Sequence, residues 1–298
     1  MSTRSNRHLP RLGSSARSRN LIAVLPSALI SLIPSAGVAY TAAGDRNFPA
    51  TLILPQVAPS DAFWITPQTL PMTGGRQTQL TGTYSKTITE RFGLQFEDGF
   101  AKQGSETQAQ SPDVLFQYEA ILNEEHEFIL SLQVDQSFGS YNALPASPAT
   151  TPAVTFAKGL GDLPMGYLRP LAITGIAGYS AAQGAHPNAI ITGLSFQYSI
   201  PYLLSKVAYV DLPPFLRGMT PITEVMYTSA VGRNYGQEAQ LMIAPGFSYT
   251  EGSGWEFGIE ALIPGTSGAG HGVGVIAQFV VQLDYLLPNS ILGRPIFP

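Results

Sequence analysis

Residues 272–288, "GVGVIAQFVVQLDYLLP", are long and apolar enough to suggest a transmembrane helix, yet they contain Gln278, Gln282 and Asp284. When the stretch is split by parity, the odd positions from 273 to 287 are all apolar or aromatic, and every polar side chain falls on an even position. Successive side chains of a strand point to opposite faces, whereas those of a helix repeat about every 3.6 residues. The stretch is therefore predicted to be a β-strand with one apolar and one polar face.

The same alternation recurs along most of the chain, in segments close to the roughly 9–11 residues that cross a bilayer when a strand is tilted. The segments are 76–88, 92–97, 113–122, 127–138, 165–181, 190–200, 217–232, 238–249, 255–263 and 272–287. The stretches 47–66 and 203–211 could add two more. Because single-chain bacterial barrels have even strand numbers, we predict 12 strands, with 10 as the alternative.

A secreted soluble β protein would show the same alternation, but its polar face would be rich in Lys and Glu. Here charged residues make up 12% of the chain, and the polar faces carry mainly Gly, Ser, Thr, Gln and acids. Aromatic side chains near strand ends are typical of the two membrane interfaces. We predict an all-β, membrane-spanning antiparallel up-and-down β-barrel in the outer membrane of a Gram-negative cell. The predicted interface aromatics are Tyr118, Tyr198, Tyr202, Tyr249, Trp255 and Tyr285.

The N-terminal residues have the composition of a secretory signal peptide. Five Arg residues precede the first acid, Asp45, and an apolar run and small residues follow them. We predict a signal peptide at 1–39, with cleavage as late as 43, a periplasmic segment at 40–60 and one barrel domain at 61–298. The alternative for the first region is an N-terminal membrane anchor. An exported barrel implies membrane lipid, periplasmic chaperones and the barrel-assembly machinery as partners.

Charge and cysteine content exclude several classes of protein. Residues 1–39 contain five of the 16 Lys and Arg residues and none of the 20 Asp and Glu residues, so the remainder carries a formal charge of −9. Such a balance argues against nucleic-acid binding. The chain has no Cys, which excludes disulfides and thiolate metal sites. We predict no cofactor and no metal, and read the acidic "NEEHE" at 123–127 as a solvated turn.

Parity assigns an acid- and amide-rich face to the interior of the barrel. A wall of carboxylates raises the local cation concentration and repels anions, although the same groups could instead form a hydrogen-bonded network that holds the barrel shut. The predicted lumen-lining residues are Glu97, Gln117, Glu119, Gln133, Asp135, Gln197, Glu224, Glu238, Gln240, Glu256, Glu260, Gln278, Gln282 and Asp284.

Four stretches carry a resemblance to a known group of proteins: "FAKGLGDLP" (156–164), "YLRPLAITGIAGYS" (167–180), "FQYSIPYL" (196–203) and "LPNSILGRPIF" (287–297). Together with the repeated strands, they resemble the transporter-like "meta-pathway of phenol degradation" outer-membrane barrels over most of 60–298. The resemblance implies a channel or uptake protein for small, often aromatic or apolar compounds, and it brings no catalytic residues.

The C-terminus departs from that pattern, because outer-membrane barrels usually finish on a strand with a terminal aromatic residue. Here the last clear strand ends near Leu287, and the chain continues to Phe297 and Pro298. Either the assembly signal is internal or the tail folds back on the barrel.

We expect passive diffusion of small solutes, apolar and aromatic ones included, through the acid- and amide-lined lumen. A structural or adhesive barrel with a blocked lumen is the alternative. A barrel lipid hydrolase is a third hypothesis, which requires His186 or His271 beside a serine. The Pro-containing stretch 139–164 is predicted to be a long loop, either a constriction in the lumen or a loop outside the cell.

Overall fold

A computed structural model describes residues 41–72, 75–139, 148–183, 187–232, 238–250 and 254–297. The predicted signal peptide therefore lies outside the described residues. The strands are β1 (Thr41–Ala43), β2 (Arg46–Phe48), β3 (Ala62–Met72), β4 (Gly75–Thr89), β5 (Phe92–Gln103), β6 (Glu106–Ala109), β7 (Asp113–Asn123), β8 (Phe128–Ser137), β9 (Ala149–Gly159), β10 (Leu171–Ala182), β11 (Asn188–Tyr198), β12 (Met219–Val231), β13 (Gln240–Thr250), β14 (Trp255–Pro264) and β15 (Gly274–Gln282).

Twelve strands form one closed antiparallel barrel, as predicted. Each of β7 to β15 pairs with the next, β15 pairs with β3, and β3, β4, β5 and β7 complete the ring. The short strand β6 pairs with the end of β5. Among the described helices, none is both long and apolar enough to cross a bilayer. Because strands alternate in direction, β3 begins and β15 ends at the same rim, which we name the terminal rim; the other end is the opposite rim.

Two of the twelve predicted strands are not where the sequence analysis placed them. The stretch 47–66 contributes only the start of β3, and residues 200–207 form short helical turns rather than a strand in 203–211. The missing strand is β9, inside the predicted loop 139–164. Its Pro152 has no N–H to donate, and the β9–β10 ladder skips that position. The part of the predicted loop at 140–147 lies outside the described residues.

The outer wall of the barrel is apolar, as a lipid-facing surface must be. Phe96, Phe116, Leu132, Leu194 and Phe279 are among its exposed side chains, while the alternate positions of their strands are mostly buried. One irregularity between Glu119 and Ile121 reverses the parity at the end of β7. As a result Ile121, which has the parity of the inward Glu119, is 46% exposed on the outside, and Leu122, which has the parity of the outward Tyr118, packs inside.

Residues 272–288 form a shorter strand than their periodicity predicts. The last strand, β15, ends at Gln282, and residues 283–286 form a helical turn. The tail then folds back over the terminal rim, where the Phe297 N–H donates to the Ile88 carbonyl at 2.8 Å. This is one of the two arrangements expected from the sequence.

The lumen is filled by residues 43–61, which we name the plug. This segment enters at the terminal rim, reaches the middle of the barrel near Leu52–Leu54, and returns to begin β3. Most of its residues from 46 to 58 are buried, and Phe48, Leu52 and Leu54 are almost completely so. From residue 43 onward, the stretch predicted as a periplasmic segment at 40–60 packs within the barrel, because its apolar side chains find an enclosed surface there.

The close contact between β13 and β14 predicts that a methyl group added at Gly246 lowers the stability of the barrel. A Cβ on Gly246 would lie 2.0 Å from the Ile259 carbonyl oxygen, whereas a Cβ on Gly82 meets no atom within 4 Å. Overpacking of this kind costs about 1–3 kcal/mol. We expect Gly246→Ala to lower the midpoint of urea unfolding, followed by heat-modifiable gel mobility, and Gly82→Ala to leave it unchanged. Equal midpoints for the two variants would contradict the packing described.

Candidate functional site

The contact between Glu224 and the tip of the plug lies at the centre of the barrel. The fully buried Glu224 carboxylate on β12 accepts hydrogen bonds from three consecutive backbone N–H groups, those of Leu52 at 2.6 Å, Ile53 at 2.9 Å and Leu54 at 2.8 Å. Three donors around one carboxylate stabilise its negative charge. The carboxyl group of Glu260 lies beside it. The Glu224 side chain thus binds the main chain of the plug.

A second wall carboxylate binds the plug nearer the terminal rim. The Ala50 N–H donates to Oε1 of Glu256 at 2.9 Å, and the Ser248 hydroxyl donates to the same oxygen. Glu256 is fully buried, so these donors replace the water it has lost. Two lumen carboxylates predicted from parity are therefore occupied by plug backbone.

Amide side chains bind the returning arm of the plug. Gln95 donates through Nε2 to the Gln56 side-chain oxygen at 2.6 Å. Gln117, at 2.9 Å, and Gln133 both donate to the Gln56 backbone carbonyl. Gln56 itself donates to the Ser60 hydroxyl at 2.6 Å. Three amide side chains of the wall therefore bind one plug residue.

A buried arginine fastens the plug at the terminal rim. Arg46 Nε donates to the Glu127 carboxylate at 3.2 Å, Nη1 donates to the Pro170 carbonyl at 3.0 Å, and the guanidinium lies 3.8 Å from the centre of the Tyr202 ring. The Tyr202 hydroxyl donates to the other Glu127 oxygen at 2.8 Å. Burial, together with the adjacent Glu127 carboxylate, raises the pKa of Tyr202 to about 12, so this donor stays protonated at neutral pH.

The end of the plug is held by Asp61. Its carboxylate accepts from Lys86 Nζ at 2.6 Å and from the backbone N–H and hydroxyl of Thr87, at 2.8 Å and 2.7 Å. Lys86 also donates to the Arg294 carbonyl at 2.7 Å. One buried ion pair therefore joins the plug, β4 and the folded-back tail.

Small wall residues make room for the plug. A Cβ on Gly193 would lie 2.3 Å from Leu54, and a Cβ on Gly258 would lie 2.6 Å from Leu52. At the start of the plug, Gly44 has a φ of +57°, and its Cβ position lies 2.4 Å from the Glu124 carbonyl oxygen. Glycine is needed there for both reasons. The wall is therefore shaped to hold a second layer of polypeptide.

A cavity remains between the tip of the plug and the opposite rim, with about 640 Å³ of empty space that includes open solvent. Leu52 and Ile53 of the plug line its inner end. The wall from β13 to β3 is largely apolar, with Leu70, Met242, Leu262 and Ile276. The wall from β4 to β7 is polar, with Gln79, Thr81, Glu97, Gln110, Ser111 and Asp113.

The structure distributes the predicted lumen residues between the wall and the two rims. Two leave the predicted set: Glu238 is exposed beside Ser267 just before β13, and Asp284 lies exposed on the helical turn after β15. Both fall outside strands, where parity no longer applies. The others occupy inward strand positions: Glu97, Gln117, Glu119, Gln133, Asp135, Gln197, Glu224, Gln240, Glu256, Glu260, Gln278 and Gln282.

The predicted interface aromatics divide in the same way. Tyr118 is exposed on the outer wall, and Tyr249 packs against Trp255, with ring centres 6.0 Å apart. Tyr198 lies at the end of β11. Two assignments need correction: Tyr202 lies on a helical turn and faces Arg46, and Tyr285 lies on the turn after β15 instead of within a strand.

Parity did not reveal Arg46, Gln56, Asp61 and Lys86, the residues that hold the plug in place. They lie in or next to a segment whose partners are distant in sequence. The small residues of the polar face were the available signal, because side chains that short leave a lumen for another chain segment to occupy.

The described histidines lie on the periphery. His126 Nδ1 lies 3.3 Å from the Asp162 carboxylate, and both side chains are about half exposed. His271 is exposed in the β14–β15 connection, and His186 lies outside the described residues. Within the described part of the chain, no side-chain hydrogen bond joins His126 or His271 to a serine, and no three His, Asp or Glu residues cluster as metal ligands.

Comparison with known proteins shows the fold alone. No protein-family model matches the chain, and no curated protein matches it. A KdgM porin is 13% identical, with a TM-score of 0.50 over 74% of this chain and 98% of its own. A NanC porin (10%, 0.49) and the COG4313 outer membrane channel from Pseudomonas putida F1 (11%, 0.46) also align over 74% of this chain, and over 98% and 93% of their own.

Architecture and outer surface together give the location of the protein. Closure satisfies every strand edge within lipid, and the outer wall presents an apolar band to the acyl chains. A closed antiparallel barrel of twelve strands with such a wall is characteristic of the Gram-negative outer membrane. The chain is therefore an outer-membrane β-barrel.

Proposed function

We propose that the protein is an outer-membrane channel for small molecules and that its plug must move before solute passes. The observation that carries the proposal is that a separate chain segment, not the wall's own side chains, fills the lumen. Small closed barrels are normally filled by inward-facing residues of their strands. Here Gly193 and Gly258 leave space at the wall for Leu54 and Leu52, so displacement of the plug would leave an aqueous path.

The solute would cross by passive diffusion along the inward carboxylates and amides, without a cofactor or a catalytic step. The resemblance to the "meta-pathway of phenol degradation" barrels favours small aromatic and apolar compounds, and the partly apolar cavity suits them. The terminal rim would face the periplasm, because an exported chain reaches the membrane from that side with the help of chaperones and assembly machinery. The plug would then open toward the periplasm.

The second candidate is a structural or adhesive barrel that never opens. Its support is the burial of the plug and the complete hydrogen bonding of Glu224. Single-channel recording in planar bilayers separates the two. Discrete openings of the wild-type protein that become more frequent when residues 44–58 are deleted support the channel; a folded deletion variant without conductance favours the structural barrel.

Ion selectivity gives a second test of the lumen. Inward carboxylates should make the open pore prefer cations. In the 44–58 deletion background, we expect Glu119→Gln with Glu260→Gln to reduce the ratio of cation to anion permeability by about twofold, as read from reversal potentials in a salt gradient. Asp211→Asn, which removes one carboxylate at an exposed position outside the strands, is the control for a loss of surface charge. Unchanged reversal potentials would show that these carboxylates do not line the path.

A further inference from the structure

We propose that the cavity at the opposite rim is a binding site for small amphipathic molecules with a primary ammonium group. This inference rests on the proposed channel and names a class of solute for it. The cavity is closed at its inner end by Leu52 and Ile53 of the plug, so a ligand can be held there while the lumen is shut. Its lining residues surround about 640 Å³ of empty space, a figure that includes open solvent.

The apolar half of the cavity would accommodate the body of the ligand. Leu70, Met242, Leu262 and Ile276 come from four neighbouring strands, β3 and β13 to β15. All four are almost completely buried. A hydrocarbon or aromatic group placed against them is removed from water without loss of any hydrogen bond.

The polar half presents two carboxylates directly across a strand pair. Asp113 on β7 and Glu97 on β5 are register partners that both line the cavity. Like charges at opposed positions repel each other. A cation between them would relieve that repulsion.

The hydrogen bonding of the pair leaves an acceptor for the ligand. Oδ1 of Asp113 is buried and accepts no hydrogen bond from any described residue, and Asp113 forms no ion pair within the described chain. The nearby Ser111 hydroxyl is also buried and has no hydrogen-bond partner among the described residues. An ammonium group supplies both positive charge and N–H donors, whereas a carboxylate would add to the negative charge already present around Asp113. The site should therefore select cationic over anionic ligands of the same shape.

Isothermal titration calorimetry on the full-length barrel in detergent tests this with three probes of similar size: phenethylammonium, 2-phenylethanol and 3-phenylpropanoate. We expect phenethylammonium to bind at least tenfold more tightly than 3-phenylpropanoate, with the alcohol between them. Asp113→Asn should remove most of that ratio, and Asp211→Asn, on the exposed surface, should preserve it. Met242→Phe, which fills the apolar half, should weaken all three probes together.

Folding of each variant is verified by heat-modifiable gel mobility. If Asp113→Asn does not fold, Glu97→Gln removes the other carboxylate of the pair and must lower the same ratio. Equal binding of cation and anion, binding of none of the probes, or a preference that survives these substitutions would overturn the inference. Because binding is measured with the plug in place, a conducting barrel without the preference would reject only this inference, and a binding barrel that never conducts would reject only the channel.

Discussion

Glu224→Ala is expected to raise the open probability of the channel at least tenfold. The substitution leaves the N–H groups of Leu52, Ile53 and Leu54 buried without their acceptor, and each unsatisfied group costs about 1–3 kcal/mol. About 1.4 kcal/mol corresponds to a factor of ten in an equilibrium constant. Even the smallest summed cost of the three unsatisfied N–H groups therefore shifts the equilibrium between bound and released plug strongly toward release. Single-channel recording of wild-type and variant barrels gives the ratio directly.

Two controls test this prediction: a substitution at the exposed rim, and an engineered pair of cysteines in a chain that has no Cys of its own. Glu238→Ala removes an exposed glutamate remote from the plug and should leave the open probability unchanged. In the Glu224→Ala background, Leu52→Cys with Gly258→Cys places two thiols where the plug touches β14. Oxidation should close the channel, and a reductant should reopen it. Unaltered opening in Glu224→Ala, or conductance that persists in the oxidised form, would reject the plug as the gate.

Arg46→Ala is expected to produce the largest loss of stability, about 3–5 kcal/mol, the usual result of removing one partner from a buried ion pair. The Glu127 carboxylate would remain buried, with the Tyr202 hydroxyl as one remaining side-chain donor and no counter-ion from Arg46. The carbonyl of Pro170 would also lose one of its two donors and keep the Ser199 N–H. Urea unfolding, followed by gel mobility or tryptophan fluorescence, measures the change.

Two matched variants show whether the arginine acts through charge or geometry. Arg46→Lys keeps the charge but not the planar fork that reaches Glu127 and the carbonyls near residue 170 together, so an intermediate loss is expected. Arg217→Ala breaks an ion pair with Asp211 at the surface, and exposed pairs contribute little. A midpoint for Arg46→Ala equal to that of Arg217→Ala would contradict the role assigned to the buried pair.

Local periodicity predicted most of the barrel wall. In β15, Gln278 and Gln282 point inward and Phe279 points outward, because strand geometry alone determines the side of each residue. The prediction was wrong where a local feature breaks the period of two: the irregularity before Ile121 and the helical turn that contains Asp284. Strand β9 was missed because its inward Thr151, Thr155 and Ala157 are small and its Pro152 is typical of loops.

The sequence by itself determined that this chain forms a barrel with an apolar outside and an acid- and amide-rich inside, since a period of two is a property of neighbouring residues. Only the tertiary structure decided what occupies that inside. Leu52 and Glu224 are 172 positions apart, and their contact exists because closure of the ring creates an enclosed surface on which the plug can bury its apolar side chains. The carboxylates that periodicity assigned to a water-filled path therefore include two that hold the plug's main chain, and the proposed path depends on their release.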